Sequence, residues 1–139
     1  MSNVNHPKHY NSHPSGIEVI EIVRWMEFDT GNSFKYVSRE DHKGNSVQDL
    51  EKAIFYVDDY WKMRVDNPDY TLRWYPNRVR ELVWEFVRME TNPTKAAVYF
   101  ALYMAQISLN FEVMLSNARK GLETLLAEAR KEAGSNDEG

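Results

Sequence analysis

The stretch from His6 to Tyr60 organises the chain, and it reads HPKHYNSHPSGIEVIEIVRWMEFDTGNSFKYVSREDHKGNSVQDLEKAIFYVDDY. On a helix through its centre, residues 31–39, an amide, two cations and an aromatic ring share one face, because they recur at i, i+3, i+4 and i+7. These four residues are Asn32, Lys35, Tyr36 and Arg39. Since an ordinary surface helix buries its aromatic residues and scatters its charges, this face is the first candidate for a binding site.

The residue types on this face indicate a ligand that carries both a phosphate and a flat ring. Lys35 and Arg39 supply positive charge for phosphate oxygens, and Tyr36 between them supplies a surface for a ring. The alternative is structural: Tyr36 is half-buried, and the two cations cover its ring while their charged ends stay in water. The spacing alone is compatible with both interpretations.

A second helix is predicted to begin at Ser46, where Ser46-x-x-Asp49 resembles a capping box. Along it a second polar and aromatic stripe repeats at i, i+3, i+7 and i+10: Asp49, Lys52, Tyr56 and Asp59. The short loop before it contains Lys43-Gly44-Asn45, whose backbone N–H groups can contact phosphate. We predict a helical hairpin whose two faces enclose a small anionic ligand, with a mutual structural network of the same side chains as the alternative.

Composition limits the classes of protein. The 139 residues suffice for one domain with a core, and a hydrophobic fraction of 42% indicates a globular chain. A net charge of -4 argues against duplex nucleic acid as the main partner. The chain has no cysteine and no GxxxxGK[ST] motif, which excludes thiolate chemistry and P-loop chemistry. Because no apolar run reaches the length of a membrane span, we expect a cytoplasmic protein.

Two further groups of side chains precede the central face. His9 and Tyr10 lie in a proline-interrupted arm, where an anion-binding or packing role is expected, because the histidine spacing matches no zinc pattern. Glu18 and Glu21 lie one helical turn apart. Together with Asp49 they are candidate ligands of Mg²⁺, which takes one or two carboxylates plus phosphate oxygens. The alternative for the glutamate pair is a solvated helix face.

The C-terminal half is also predicted to be helical, without any persistent strand pattern. Residues 95–115 are apolar nearly all round, which is typical of a helix central to its domain or shared with another subunit, and a subunit interface is favoured here. The Gly/Ser/acidic tail, residues 134–139, is expected to be disordered. The fold is therefore predicted to be an all-α bundle of about five helices in a single domain 1–139, homo-oligomeric through residues 62–133.

Four ordered motifs between residues 6 and 61 resemble a phage family of unknown function, sometimes called SaV-like. The motifs are His6 to Tyr10, Ile17 to Ile20, Gly31 to Arg39 and Asp49 to Tyr56. That family includes a phage nucleotide kinase without a P-loop, which works as a homo-oligomer. The resemblance implies nucleotide handling in the cytoplasm of a phage host, and it assigns that role to seven positions: Asn32, Lys35, Tyr36, Arg39, Asp49, Lys52 and Tyr56.

Several functions remain open at this point. The first is phosphoryl transfer to a (deoxy)nucleoside monophosphate, with Lys35, Arg39 and Lys52 as catalytic cations and Mg²⁺ as cofactor. The second is non-catalytic capture of a nucleotide immune signal of the host, an anti-defence role for which the acidic run after Arg39 is suited. A minor alternative is a MazG-like all-α pyrophosphatase, of which only the Glu18-x-x-Glu21 half is present. A protein that only contacts a host protein would leave the Lys-Tyr-Arg face unexplained.

Overall fold

The computed structural model describes residues 13–40 and 44–138, with side chains up to residue 135. Within those residues the chain forms six helices and no strand, which confirms the all-α prediction and adds one helix to the expected five. Their bounds are α1 Val19–Val23, α2 Phe28–Arg39, α3 Ser46–Asp66, α4 Asn77–Met89, α5 Pro93–Ile107 and α6 Phe111–Glu138. The helices pack around one continuous hydrophobic core.

The predicted hairpin is formed by α2 and α3. Phe34 and Val37 of α2 and Leu50 and Val57 of α3 are fully buried, so each helix turns one apolar face into the core. The Ser33 hydroxyl on α2 donates a hydrogen bond of 3.0 Å to the Ala53 carbonyl oxygen of α3. This hydrogen bond ties the two helices together. Of their polar stripes, Asp49 is buried and the other residues are half-buried or exposed.

The apolar helix predicted over residues 95–115 is two helices, α5 and the start of α6. The break lies at Ser108, whose backbone is extended and whose hydroxyl accepts a hydrogen bond from the Asn110 N–H at 3.0 Å. Serine and asparagine favour such breaks because their side chains compete for backbone hydrogen bonds. Of the helices described, none is long and apolar enough to cross a membrane.

Helix α5 lies at the centre of the bundle, in contact with α2, α4 and α6. Val98, Leu102 and Ala105 are buried on it. The apolar residues all round this helix are therefore covered largely within one chain. The sequence had favoured a subunit interface over this central position. Association between subunits stays a prediction.

The C-terminal tail differs from its prediction. Helix α6 continues to Glu138, through residues whose composition predicted disorder. The segment has no proline, and a helix that already exists extends at the cost of ordering one residue for each hydrogen bond added. The long helix before Gly134 thus explains why this segment is helical although its composition favours helix only weakly.

Candidate functional site

The polar stripes of α2 and α3 meet at the ring of Tyr36. Lys35 Nζ lies 5.1 Å and Arg39 Cζ 5.5 Å from the ring centroid, both from α2. Lys52 Nζ approaches the same ring from α3, at 5.3 Å. Each distance is within the range of a cation–π interaction. The structure therefore brings together all three residues that were predicted to be catalytic cations.

Tyr56 of α3 completes this group. Its ring lies parallel to that of Tyr36, with centroids 6.1 Å apart and an interplanar angle of 8°. The two stripes thus contact each other directly through their aromatic residues, and the cations surround this contact. We call these five residues the Tyr36 cluster: Lys35, Tyr36, Arg39, Lys52 and Tyr56.

The cations of the Tyr36 cluster have no carboxylate within ion-pair distance in the described part of the chain. Within residues 13–40 and 44–138, Lys35, Arg39 and Lys52 form no ion pair with a carboxylate. The Arg39 Nε is buried and has no hydrogen-bond partner in that part of the chain. Three cations near one ring repel one another, and a bound anion relieves that repulsion. The geometry therefore favours an anionic ligand.

Asn32 and Asp49, two of the three remaining stripe residues, lie differently. Asn32 donates its side-chain N–H to the Phe28 carbonyl oxygen one turn earlier, at 2.8 Å, which leaves its amide oxygen for a ligand. Asp49 is buried one turn before Lys52, and its Oδ2 has no hydrogen-bond donor among the described residues. A buried acceptor without a donor is uncommon in proteins and is suited to a ligand's N–H or O–H.

Glu18 and Glu21 form the capping box of α1. The Glu21 carboxylate accepts a hydrogen bond of 2.8 Å from the Glu18 N–H, and the Glu18 side chain accepts one in return from the Glu21 N–H. In the part of the chain that the structure covers, no three carboxylates or histidines are grouped to hold a metal ion. The role of Glu18, Glu21 and Asp49 as ligands of Mg²⁺ stays a prediction.

Three predicted ligand-binding residues, His9, Tyr10 and Lys43, lie outside the described residues. The histidine nearest to this arm that is described, His13, has a packing role. Its ring stacks on Phe86 at 3.6 Å, and its Nε2 lies 3.2 Å from a Glu90 carboxylate oxygen. Burial lowers the pKa of His13, and the nearby Glu90 carboxylate opposes that effect.

Two residues beside the Tyr36 cluster, Phe28 and Phe55, were not predicted from the sequence. Both rings lie nearly at right angles to the ring of Tyr56, at centroid distances of 5.8 Å and 5.3 Å. A signal for them existed, since Phe28 precedes Asn32 by one helical turn and Phe55 is adjacent to Tyr56. Both were overlooked because large apolar residues are ordinarily assigned to the core.

A second polar network, also not predicted, ties the loop after α3 to the bundle. The Glu27 carboxylate accepts hydrogen bonds from the hydroxyls of Tyr60, at 2.9 Å, and Tyr70. Arg64 donates to the Tyr60 hydroxyl at 3.0 Å and lies 4.5 Å from the Tyr70 ring centroid. Burial raises the pKa of both tyrosines. Since its charged and hydroxyl groups find partners inside the protein, we assign the network a structural role.

The fold and this surface define an all-α protein with a cluster of cations and aromatic rings on its N-terminal hairpin. Residues 4–58 match a family described as a protein of unknown function (DUF3310). The match covers every residue of the Tyr36 cluster. Comparison with curated proteins and with solved structures gives no match. The family description names no activity, so the relation to a phage nucleotide kinase stays an expectation from resemblance.

Proposed function

We propose that the protein binds small nucleotides at the Tyr36 cluster. The observation that carries this proposal is the convergence of three cations on one ring without a carboxylate partner in the described chain. Lysine and arginine are the side chains that bind phosphate, and arginine additionally presents a planar set of donors. Tyr36 and Tyr56 add aromatic surface for a base or a sugar.

A purely structural role for the cluster accounts less well for its charge. On the same helix as Lys52, the exposed Lys62 pairs with Asp66 at 2.8 Å. On α6, Arg119 pairs with Asp58 of α3 at 2.7 Å. Lys62 and Arg119 thus each form an ion pair with a carboxylate of the same chain, as is expected of cations with a structural role. The cations of the cluster instead cover the half-buried ring of Tyr36, an arrangement that the structural alternative also predicts. Their lack of a carboxylate partner among the described residues is what supports a site for an external anion.

Catalysis and capture use the cluster in different ways. In phosphoryl transfer, Lys35, Arg39 and Lys52 stabilise the charge that spreads over the transferred group, and a bound Mg²⁺ supplies further neutralisation of the phosphates. Capture of a nucleotide signal, as in an anti-defence protein of a phage, requires only binding. Glu18 and Glu21 engage each other in a capping box, whereas Asp49 keeps an oxygen without a hydrogen-bond donor among the described residues. Catalysis and capture are therefore separated by experiment.

The test of binding is isothermal titration calorimetry with nucleoside mono- and triphosphates, using Lys52→Ala and the matched control Lys62→Ala. Loss of a charged hydrogen bond to phosphate costs about 1.5–3 kcal/mol, so Lys52→Ala should weaken binding about 10- to 100-fold. Lys62→Ala, on the same helix, should bind as the wild type does. Equal affinities for both variants and the wild type would place the site elsewhere.

Chromatography of the same mixtures, with Mg²⁺ present, separates catalysis from capture. A new phosphorylated or cleaved nucleotide establishes an enzyme and identifies its substrate. Recovery of unchanged nucleotide from heat-denatured protein establishes capture. If no nucleotide is bound or altered, the proposal is refuted and a protein partner becomes the leading explanation of this surface.

A further inference from the structure

Two phenylalanine rings lie exposed at the edge of the Tyr36 cluster. Phe28 is 74% exposed and Phe55 is 63% exposed, although each belongs to a residue type that proteins ordinarily bury. Phe28 projects from the first turn of α2, and Phe55 from the middle of α3. Neither ring is needed to complete the core, so their exposure requires another explanation.

Both rings are positioned by Tyr56. Their interplanar angles with it are 78° for Phe28 and 83° for Phe55, the edge-to-face arrangement that aromatic pairs prefer. The distance between the two phenylalanine rings cannot exceed the sum of their two distances to Tyr56. Both rings therefore contact the same tyrosine ring, and that ring also stacks on Tyr36, over which the three cations lie.

We infer that the ligand carries two nucleobases joined through phosphate, with a base stacked on each phenylalanine and the phosphate beside the cations. This inference rests on the proposed function and narrows its ligand. A mononucleotide has one base and leaves at least one exposed ring uncovered. Stacking on exposed aromatic side chains next to a positive groove is how proteins bind single-stranded nucleotides without reading their sequence. An apolar protein partner would not account for three cations beside the rings.

Linear and cyclic dinucleotides share this chemistry, so the test includes both. Titration calorimetry at fixed salt compares a nucleoside monophosphate, a linear dinucleotide and a cyclic dinucleotide of the same base. We expect at least one dinucleotide to bind about 10-fold or more tightly than the monophosphate. The dinucleotide that binds more tightly shows whether the natural ligand is linear or cyclic.

The variants are Phe28→Ala and Phe55→Ala, with Trp74→Ala as control because Trp74 is also highly exposed but lies on the loop after α3. Each phenylalanine variant should weaken dinucleotide binding about 5- to 100-fold. At most one of the two should weaken monophosphate binding, because a single base covers at most one of the two rings. Since both side chains are exposed, far-UV circular dichroism should show wild-type folding.

Three outcomes overturn the inference. If monophosphate and dinucleotides bind equally and the phenylalanine variants are silent, the ligand is a mononucleotide and the proposed function stands. If the variants change the oligomeric state and leave nucleotide affinity unchanged, the rings form a protein contact. If no nucleotide binds, the inference and the proposed function fail together.

Discussion

Tyr36 shows how one residue combines a structural contact with an open surface. Its ring packs parallel to Tyr56, which joins α2 to α3, while Lys35, Arg39 and Lys52 surround it. Cation–π contacts at exposed sites contribute only about 0.5–1 kcal/mol each, so they position the cations more than they stabilise the fold. The cations are thereby held near one another before a ligand arrives, which reduces the ordering cost of binding.

A second single residue, Asp29, predicts how the free energy of unfolding depends on pH. The side chain is 8% exposed, and burial, followed by the neighbouring carboxylate of Asp59, raises its pKa to about 7. Since the folded state holds this proton more tightly than the unfolded state, the contribution of Asp29 to the free energy of unfolding is greatest at low pH. It should fall as pH rises from about 4 to about 7.

Asp29→Asn should remove this loss, because the amide does not ionise. We expect the variant to match the wild type at pH 4 and to exceed it by about 1–2 kcal/mol at pH 8, after allowance for solvent screening by the exposed Asp59. Urea denaturation at both pH values measures the difference. Asp66→Asn, on the exposed end of α3, is the control, and parallel pH curves for Asp29→Asn and the wild type would contradict the prediction.

At the scale of elements, the close contact between α5 and α6 depends on Gly121. A Cβ atom at this position would lie 2.5 Å from Val98 Cγ2, closer than packed carbon atoms approach. Val98 is fully buried and β-branched, so its side chain has little freedom to move away. The glycine therefore permits the two helices to pack at short distance, which outweighs its poor helix propensity.

Gly121→Ala should destabilise the protein by about 1–3 kcal/mol, because overpacking outweighs the gain in helix propensity. Gly134→Ala on the same helix is the matched control, since no atom lies within 4 Å of the position that its Cβ would take. That variant should be neutral or more stable by up to about 1 kcal/mol. Thermal and urea unfolding measure both, and an equal effect of the two substitutions would refute the role of the α5–α6 contact.

At the scale of the whole molecule, the N-terminal hairpin depends on the C-terminal helices. Phe34 of α2 packs against Tyr99 of α5 at 4.5 Å and against Phe86 of α4 at 5.4 Å. Helix α3 packs on α6 as well as on α2. The family match at residues 4–58 therefore covers a region whose apolar faces are buried by the rest of the chain.

A fragment of residues 1–66 should consequently fail to fold by itself. Without α4, α5 and α6 its buried aromatic residues are exposed to water, and α1, α2 and α3 without a shared core are marginal at best. We expect no cooperative thermal transition by circular dichroism and poor dispersion in its proton NMR spectrum, in contrast to the full chain. A cooperative transition of the fragment would show that the hairpin is an independent unit.

The sequence by itself determined the all-α class and the composition of the helix faces in the hairpin. Spacing of three and four residues places side chains on one side of a helix, whatever the helix packs against, and so Lys35, Tyr36 and Arg39 could be grouped in advance. The same local reasoning predicted Lys52 and Tyr56 as a second group. It also indicated the hairpin, because a short loop joins the two helices.

Only the tertiary structure decided which faces meet. The contact of Lys52 with Tyr36, the central position of α5 and the pairing of Glu27 with Tyr70 each join residues from different elements. Helical periodicity relates side chains within one helix and is silent about the rotation of one helix against another, which packing of the shared core determines. The exposure of Phe28 and Phe55, whose positions beside the stripes were a signal in the sequence, was likewise recognised in the fold.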